Sequence, residues 1–402
     1  MNRQKKIMLL GGIYYLKPAI EAAHRLGLYV ITADYLPNNV AHQWSDEFVN
    51  VSIIDKDAVL KVAREKEIDG ILSYAVDPGV VTAAYVAEQM GLPNVGPYNS
   101  VEILQNKALF RQFLADNGFN TPKSKGYFSI EEALTDADVF DYPVIVKPVD
   151  SAGSKGVTRV NGIGELQDAL NLAYQCSLGA KEVIVEDFIE LEGYQSGSDS
   201  FSIDGKMVFT SFDDQRFDKY AANPYAPSAH TWPNTMPQWA QEELSSEIQR
   251  LVTLLGMRTS LYNIEARVGK NGKAYIMELS PRAGGNRLSE VLTKATGVDF
   301  PMASVKAAMG MPVDMETPCI DGYWADVVLH APKDGVLKSV EIAEPMRSNV
   351  KELTLYKQIG ETVCGFSAAN AAIGSLFMRF DTRVAMDDAL AHQDEWLNIN
   401  VK

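Results

Sequence analysis

Apolar and polar positions follow two different rhythms along this chain. "KIMLLG", residues 6–11, is a continuous apolar run, the pattern of a strand buried on both faces of a parallel sheet. Gly11 and Gly12 turn the chain. "LKPAIEAAHRLG" then places apolar residues at helical spacing, with Gly27 as the stop. "YVITADY" predicts the next strand, ending at Asp34, and "AVLKVAREKE", "IDGILSYA" and "GVVTAAYVAEQMG" predict helix, strand and helix. Such alternation implies a doubly wound parallel sheet in residues 1–119. The run "SVEILQNKALFRQFLADNG" predicts one helix that carries Lys107, capped by Ser100 and ended at Asn117 and Gly118.

Past residue 120 the rhythm changes. A strand, a glycine-rich loop, a strand, the helix "GELQDALNLAYQ" and the strand "EVIVEDF" follow one another in α+β fashion. This predicts a second domain over residues 120–310, with a subdomain at about 125–185. The polar stretch "SFDDQRFDKYAANPYAPSAH" reads as a loop, facing substrate or solvent. Beyond residue 310 the pieces "GYWADVVLHAP", "GVLKSVEI" and "SLFMRF" predict a small, mostly β domain over residues 311–402.

One hairpin carries chemistry. In "LYNIEARVGKNGKAYIMELSPRAGGN", residues 261–286, two alternating apolar runs flank Asn271 and Gly272, a strong short-range hairpin signal. A two-residue type I′ turn would pair Lys270 with Lys273. Glu265 would then face Glu278, and Asn263 would face Ser280, on one side of the ribbon. Two carboxylates held so close repel, and a cation between them resolves the conflict. Hard oxygen donors in small number suit Mg²⁺. The competing reading leaves both glutamates in solvent or paired with Arg267 or Arg282. Arg282, directly after Pro281, is a candidate for binding phosphate or carboxylate oxygens; its alternative is a salt bridge to one of the glutamates.

Composition narrows the field. The 402 residues are 46% hydrophobic and 22% charged, as in a folded soluble protein, and carry a formal net charge of −15. An acidic chain argues against nucleic acid or an anionic membrane as main partner. Cys176, Cys319 and Cys364 form no CxxC pair or zinc set and suit a reducing compartment, so a cytoplasmic location is expected. The dinucleotide fingerprint G-x-G-x-x-G is missing after Gly11 and Gly12.

The loop "DSAGSKG", residues 150–156, lies between two strands and is no Walker A loop, which would lead into a helix. Gly153 and Gly156 let a hairpin tip bend over a ligand, and Ser151, Ser154 and backbone N–H groups can donate to phosphate oxygens. Lys147 stands at the entrance. The succession of Lys107 on a helix, Lys147 before this loop, the acidic strand end "VEDFIE" and two hairpin glutamates leading into "SPR" resembles the ATP-grasp superfamily over nearly the whole chain, closest to its carboxylate–amine ligases.

The resemblance implies a Rossmann-like N-terminal domain, an ATP-grasp α+β domain with a mobile lid, and a small mostly β C-terminal domain. It implies ATP and Mg²⁺ as cofactors and small-molecule carboxylate and amine substrates joined through an acyl phosphate; it also suggests a homodimer. Lys107 and Lys147 would contact phosphates, Lys147 also lying near the adenine, with Ser151, Gly153, Ser154 and Gly156 closing over them. Glu186 and Phe188 would line the adenine, and Glu190 or Glu192 would hold the ribose, because the usual position falls on Gly193. Glu265 and Glu278 match the Mg²⁺ carboxylates, with Ser280 where the family often has Asn. Arg282 would steady the transferred phosphate. Arg287 and His230 are candidate substrate contacts, against a local ion pair for the first and a structural role for the second. A bicarbonate- or formate-activating enzyme of the same superfamily, and a nucleotide-binding regulatory protein without turnover, are the alternatives.

Overall fold

The computed structural model describes residues 3–151, 155–221, 223, 226–367 and 371–402. The front of the chain forms a four-stranded parallel sheet in the order Glu47–Asn50, Tyr29–Asp34, Lys6–Leu10, Gly70–Leu72. Ile7, Met8, Leu9 and Leu10 are all buried, as a strand covered on both faces requires. Helices Lys17–Arg25 and Lys56–Lys66 connect strands, and Val80–Met90 follows the last of them. Gly11 leaves the first strand at φ +110, and a Cβ there would lie 2.8 Å from Val76 Cγ2. Close approach at this turn packs the 11–16 segment against the loop that carries Asp77.

The predicted single helix around Lys107 is two helices, Tyr98–Gln105 and Lys107–Asp116. Asn106 between them is extended, and its side chain accepts from the N–H groups of Ala108 and Leu109. It caps the second helix. Ser100 lies inside the first helix and caps nothing.

Residues 124–187 form a separate antiparallel sheet, in the order Ser124–Tyr127, Val183–Asp187, Val144–Pro148, Thr158–Val160. Helix Leu166–Cys176 covers it over a core of its own that includes Tyr127, Val144, Leu170 and Val185. A second antiparallel sheet orders Lys206–Phe209, Ser196–Ile203, Ser260–Val268 and Ala274–Ser280. The long helix Gln238–Leu254 packs Leu244, Ile248 and Leu251 into the same core as Ile264 and Leu279.

A five-stranded sheet orders Asp214–Phe217, Pro227–Trp232, Tyr323–His330, Ala372–Phe380 and Val350–Leu355. Strands from both sides of residue 310 thus share one sheet. The polar stretch read as a loop is, at both its ends, a pair of strands bonded to each other.

The hairpin differs in detail from the expected one. Gly269 N–H donates to Lys273 O at 2.9 Å, so three residues turn the chain, with Gly272 at φ +74. The pairs Val268–Ala274, Arg267–Tyr275 and Ala266–Ile276 follow, one position away from the type I′ register. A β-bulge at Met277 then absorbs one extra residue. Beyond it Glu265 pairs with Glu278, and Asn263 with Ser280.

Candidate active site

Glu265 and Glu278 face each other across the ribbon where the second sheet meets the 124–187 sheet. Burial, and then the Glu278 carboxylate, push the Glu265 pKa above the ordinary range. Lys107 Nζ approaches Glu278 Oε2 to 3.6 Å and donates to Ser151 O at 2.9 Å. The break at Asn106 makes this reach possible, because it starts a new helix at Lys107 and turns the backbone N–H of Lys107 to Val149 O at 3.1 Å. Among the described residues no group of three or more His, Cys, Asp or Glu side chains could hold a metal ion. Two acidic side chains with room for non-protein oxygens are the donor set that Mg²⁺ tolerates.

Lys147 and Arg111 share one carboxylate. Lys147 Nζ lies 2.5 Å from Glu186 Oε1, and Arg111 Nε 2.9 Å from Glu186 Oε2. Burial alone would raise the Glu186 pKa, but the two cations hold it at about 2. Burial lowers the Lys147 pKa, against the pull of Glu186. Arg111 also donates to the carbonyl of the bulged residue Met277 at 2.8 Å. Among the described residues Arg111 Nη2 and Arg267 Nε are buried without hydrogen-bond partners. Unspent cationic donors beside paired carboxylates suit an anionic ligand with a metal ion.

Arg282 does not pair with either glutamate. It forms a bidentate pair with Asp77, Nε to Oδ1 at 2.7 Å and Nη2 to Oδ2 at 2.8 Å. Burial works to raise the Asp77 pKa, yet Arg282 brings it below the ordinary value. Ser280 Oγ donates to Asp77 Oδ1 at 3.1 Å and accepts from Gln105 Nε2 at 2.8 Å. Asp199 fixes the loop after Arg282: it accepts from Gly284 N–H at 2.8 Å, Ser289 Oγ at 2.7 Å and Asn263 Nδ2 at 3.0 Å. A cleft of ≈ 470 Å³ opens here, with Lys56, Asp77, Gln105, Lys107, Ser151 and Glu278 in its lining.

The remaining candidates separate. Gly153 and Ser154 lie outside the described residues. Ser151 Oγ donates to Cys176 O at 2.5 Å. Gly156 has φ +71 and sits where a Cβ would come within 2.7 Å of Cys176 Cβ. Phe188 lies under the Arg159 guanidinium, 4.4 Å from its ring centroid, at the end of the Glu186 strand. Glu190 is paired with Lys270 at 2.6 Å near the hairpin tip, and the backbone N–H of Glu192 bonds Val268 O at 2.8 Å.

Arg287 and His230 stand apart from the carboxylate pair, in a second polar cluster. Arg287 pairs with Glu290 at 2.9 Å, the local ion pair, and also with Glu352 at 2.5 Å. His230 is buried and paired with Asp213 at 2.5 Å.

Sequence reasoning missed Arg111, Asp77 and Asn106, and named Arg267 only as a competing partner of the glutamates. Arg111 stands four residues after Lys107 on one helix face, a readable spacing. Asp77, in "AVDPG", follows a parallel strand at the end where such sheets bind ligands. Arg267 shares the Glu265 side of its strand by simple alternation. No local signal marks Asp199.

Residues 140–290 match the ATP-grasp domain family, and residues 20–94 match the ATP-grasp N-terminal domain family. The chain is 27% identical over 339 residues to the formate-dependent phosphoribosylglycinamide formyltransferase of Prochlorococcus marinus (strain NATL2A), covering 81% of each chain. In three dimensions it resembles the L-amino acid ligase from Bacillus licheniformis, with a TM-score of 0.83, 21% identity and 100% of both chains covered. Phosphoribosylglycinamide synthetase from Anaerococcus prevotii gives 0.78, also at 21% identity over 100% of both chains. These two share its fold.

Proposed function

The chain belongs to the ATP-grasp superfamily, and on that basis we propose that it is an ATP- and Mg²⁺-dependent carboxylate–amine ligase acting on small molecules. The observation that carries this reading is the half-buried meeting of Glu265 and Glu278, with Lys107 3.6 Å from Glu278. Like charges so placed make little sense in a purely structural hairpin, and good sense beside a metal–nucleotide complex.

A carboxylate is a poor electrophile at neutral pH. Transfer of the γ-phosphoryl group of ATP to it gives ADP and an acyl phosphate, which an amine attacks with loss of phosphate. This needs no protein nucleophile; it needs position and charge neutralisation. Lys107 and Lys147 are assigned to the phosphate oxygens, with Glu186, itself fixed by Arg111, holding Lys147 in place. Glu265 and Glu278 would hold Mg²⁺, with Ser280 as a weak third contact. When bound, the ion neutralises charge on the phosphate oxygens. Arg282 is assigned to the transferred phosphoryl oxygens; its bidentate bond to Asp77 fixes the plane of its guanidinium. Phe188, Glu190 and Glu192 are assigned to the nucleoside end, and Ser151 and Gly156, with Gly153 and Ser154, to the cover over the triphosphate.

A second reading, activation of formate, is supported by relatives such as the Prochlorococcus marinus enzyme. The test of both is ADP release from ATP over a panel of carboxylates, with hydroxylamine as acceptor. Hydroxamate should form with one class of acid. No acid-dependent ADP release from folded protein would remove the ligase reading. Glu278→Gln should lower turnover by more than about 100-fold, the scale for a group that neutralises transition-state charge.

A further inference from the structure

One face of the five-stranded sheet carries more charge than a sheet interior tolerates unaided. His230 pairs with Asp326 on the next strand, and Asp326 pairs with Phe377 beyond it. Glu352 lies opposite Phe377. Helix Leu288–Thr296 brings Glu290 and Lys294 against this region, and Arg287 at its start stacks on Phe377 at 4.6 Å. The turn after the first parallel strand brings Tyr14 and Tyr15, which pack on Tyr356 with ring centroids 4.7 and 5.6 Å apart.

Nearly every charge here has a partner. Arg287 spends its donors on Glu290, Glu352, Thr354 and Ser375. Lys294 pairs with Glu352 at 2.9 Å, and His230 with Asp213 at 2.5 Å. Asp326 is the exception: it is 0% exposed, and among the described residues neither of its oxygens has a hydrogen-bond partner. The carboxylates of Asp213, Glu290, Asp326 and Glu352 outnumber the cations Arg287, His230 and Lys294 by one. A buried carboxylate without donors is costly unless something supplies them. Burial raises the Asp326 pKa to about 7, with His230 and Arg287 opposing.

The missing element is a compact cation with several N–H donors, close enough to Tyr15 and Tyr356 that the charge of Asp326 helps to raise the pKa of both phenols. An ammonium group fits both the carboxylate and the aromatic faces. The cluster is joined to the proposed phosphoryl-transfer site by one loop. Asn286 accepts from Tyr15 OH at 3.2 Å, and four residues earlier Arg282 faces Asp77. A molecule with an ammonium at one end and a carboxylate at the other would engage the two ends of this loop, Asp326 taking the first and Arg282 the second.

We propose that Asp326 is the ammonium-binding residue of the substrate site, and that the acid activated by this protein is an amino acid. The proposal rests on the ligase reading for the fate of the carboxylate, but not for the binding of the ammonium. Asp326, with the rings of Tyr15 and Tyr356, selects for the amino group. Arg287 and His230 hold the neighbouring carboxylates away from it, as positioning residues.

The test is calorimetric titration of the full chain, without ATP, with the twenty common amino acids and the des-amino acid matching each. At least one amino acid should bind about tenfold or more tighter than its des-amino partner, the scale of one charge-assisted hydrogen bond to a buried carboxylate. Asp326→Asn should erase that preference and leave ATP affinity unchanged. Equal binding of both members of every pair, no binding of any amino acid, or a preference that survives in Asp326→Asn would overturn the proposal. The wild-type comparison decides even if the variant does not fold. ADP release with formate in a protein that binds no amino acid would sink this inference and leave the ligase reading standing. Selective amino-acid binding with no acid-dependent ADP release would do the reverse.

Discussion

At Glu186 two cations depend on one buried carboxylate. Arg111 is 1% exposed and Glu186 2% exposed, so neither can turn to water when the other is lost. Glu186→Gln should therefore destabilise the fold by about 3–5 kcal/mol, the cost of stranding a buried charge. Urea unfolding would measure it, and a loss below about 1 kcal/mol would mean that water reaches Arg111. Asp326 and Glu290 give a pH dependence of opposite kind. Burial first, against Arg287 and His230 for Asp326 and against Arg287 for Glu290, raises both to about 7. The folded chain then keeps protons that the unfolded chain releases between about pH 4 and pH 7. Stability should fall as pH rises through that window, by up to about 1.4 kcal/mol per pH unit for each group. Asp199, raised by burial to about 6, adds to the same fall, so Asp326→Asn should lessen the slope of the urea midpoint against pH by about one group's share. An unchanged slope would show that Asp326 is ionised throughout. Such residues divide in how legible they were. Lys107, Lys147 and the hairpin glutamates announce themselves through spacing along elements. Asp326 and His230 are neighbours only because the strands Pro227–Trp232 and Tyr323–His330 share a sheet, and no local pattern encodes that.

Asn106 shows how one residue sets an element. It interrupts a sequence that is helical by every periodic measure, because its side chain offers the next turn a cap and its backbone stays extended. Asn106→Ala should cost about 1 kcal/mol of stability, the usual worth of a cap. It should also raise KM for ATP, because Lys107 would lose the helix start that aims it at Ser151 and Glu278. Steady-state kinetics with the unfolding midpoint would check both, and a stability loss with unaltered KM would separate the cap from the site. The hairpin teaches a different lesson about legibility. The facing of Glu265 and Glu278 is what a type I′ turn predicts, but it arises otherwise. A three-residue turn shifts the register by one, and the bulge at Met277 shifts it back. Sequence fixes the alternation of faces well, since a one-residue slip would bury charge and expose Ile264 and Leu279. It does not reveal a bulge, whose stability comes from a distant group: Arg111 binds the carbonyl of Met277. The helix–strand alternation of the first 90 residues was readable where a strand is buried and apolar, as at Lys6–Leu10, whereas the half-exposed strand Glu47–Asn50 gave no such signal and was not predicted.

At the scale of the whole molecule, the five-stranded sheet decides what can be removed. Strand Pro227–Trp232 has Asp214–Phe217 on one side and Tyr323–His330 on the other. Ala229 of this strand packs with Val327, Leu329, Leu376 and Met378, all from beyond residue 310, while Trp232 lies in the core shared with the front sheet. Three ionic partners of groups before residue 310 come from beyond it as well. Arg383 holds the buried Asp214 at 2.5 Å, Asp387 pairs with Arg216, and Glu352 ties Arg287 and Lys294 to the sheet. A chain truncated after residue 310 would expose a bare strand edge beside an apolar face and leave Asp214 buried without its cation. It should therefore lack a cooperative thermal transition and aggregate, whereas the full chain should lose its sheets on both sides of residue 310 in one transition. Circular dichroism and sedimentation would measure this. A truncated chain that stayed monomeric, melted near the full-length temperature and bound ATP would mean that the C-terminal strands are an accessory. The 124–187 sheet has a separate core and pairs only its own strands, and it is tied to the rest through Lys107 N–H on Val149 O and through Arg111, which bridges Glu186 and Met277 O. That junction matches the chemistry proposed: Glu265, Glu278 and Arg282 sit on one side of it and Lys147 on the other, with Arg111 bridging Glu186 and Met277 O between them.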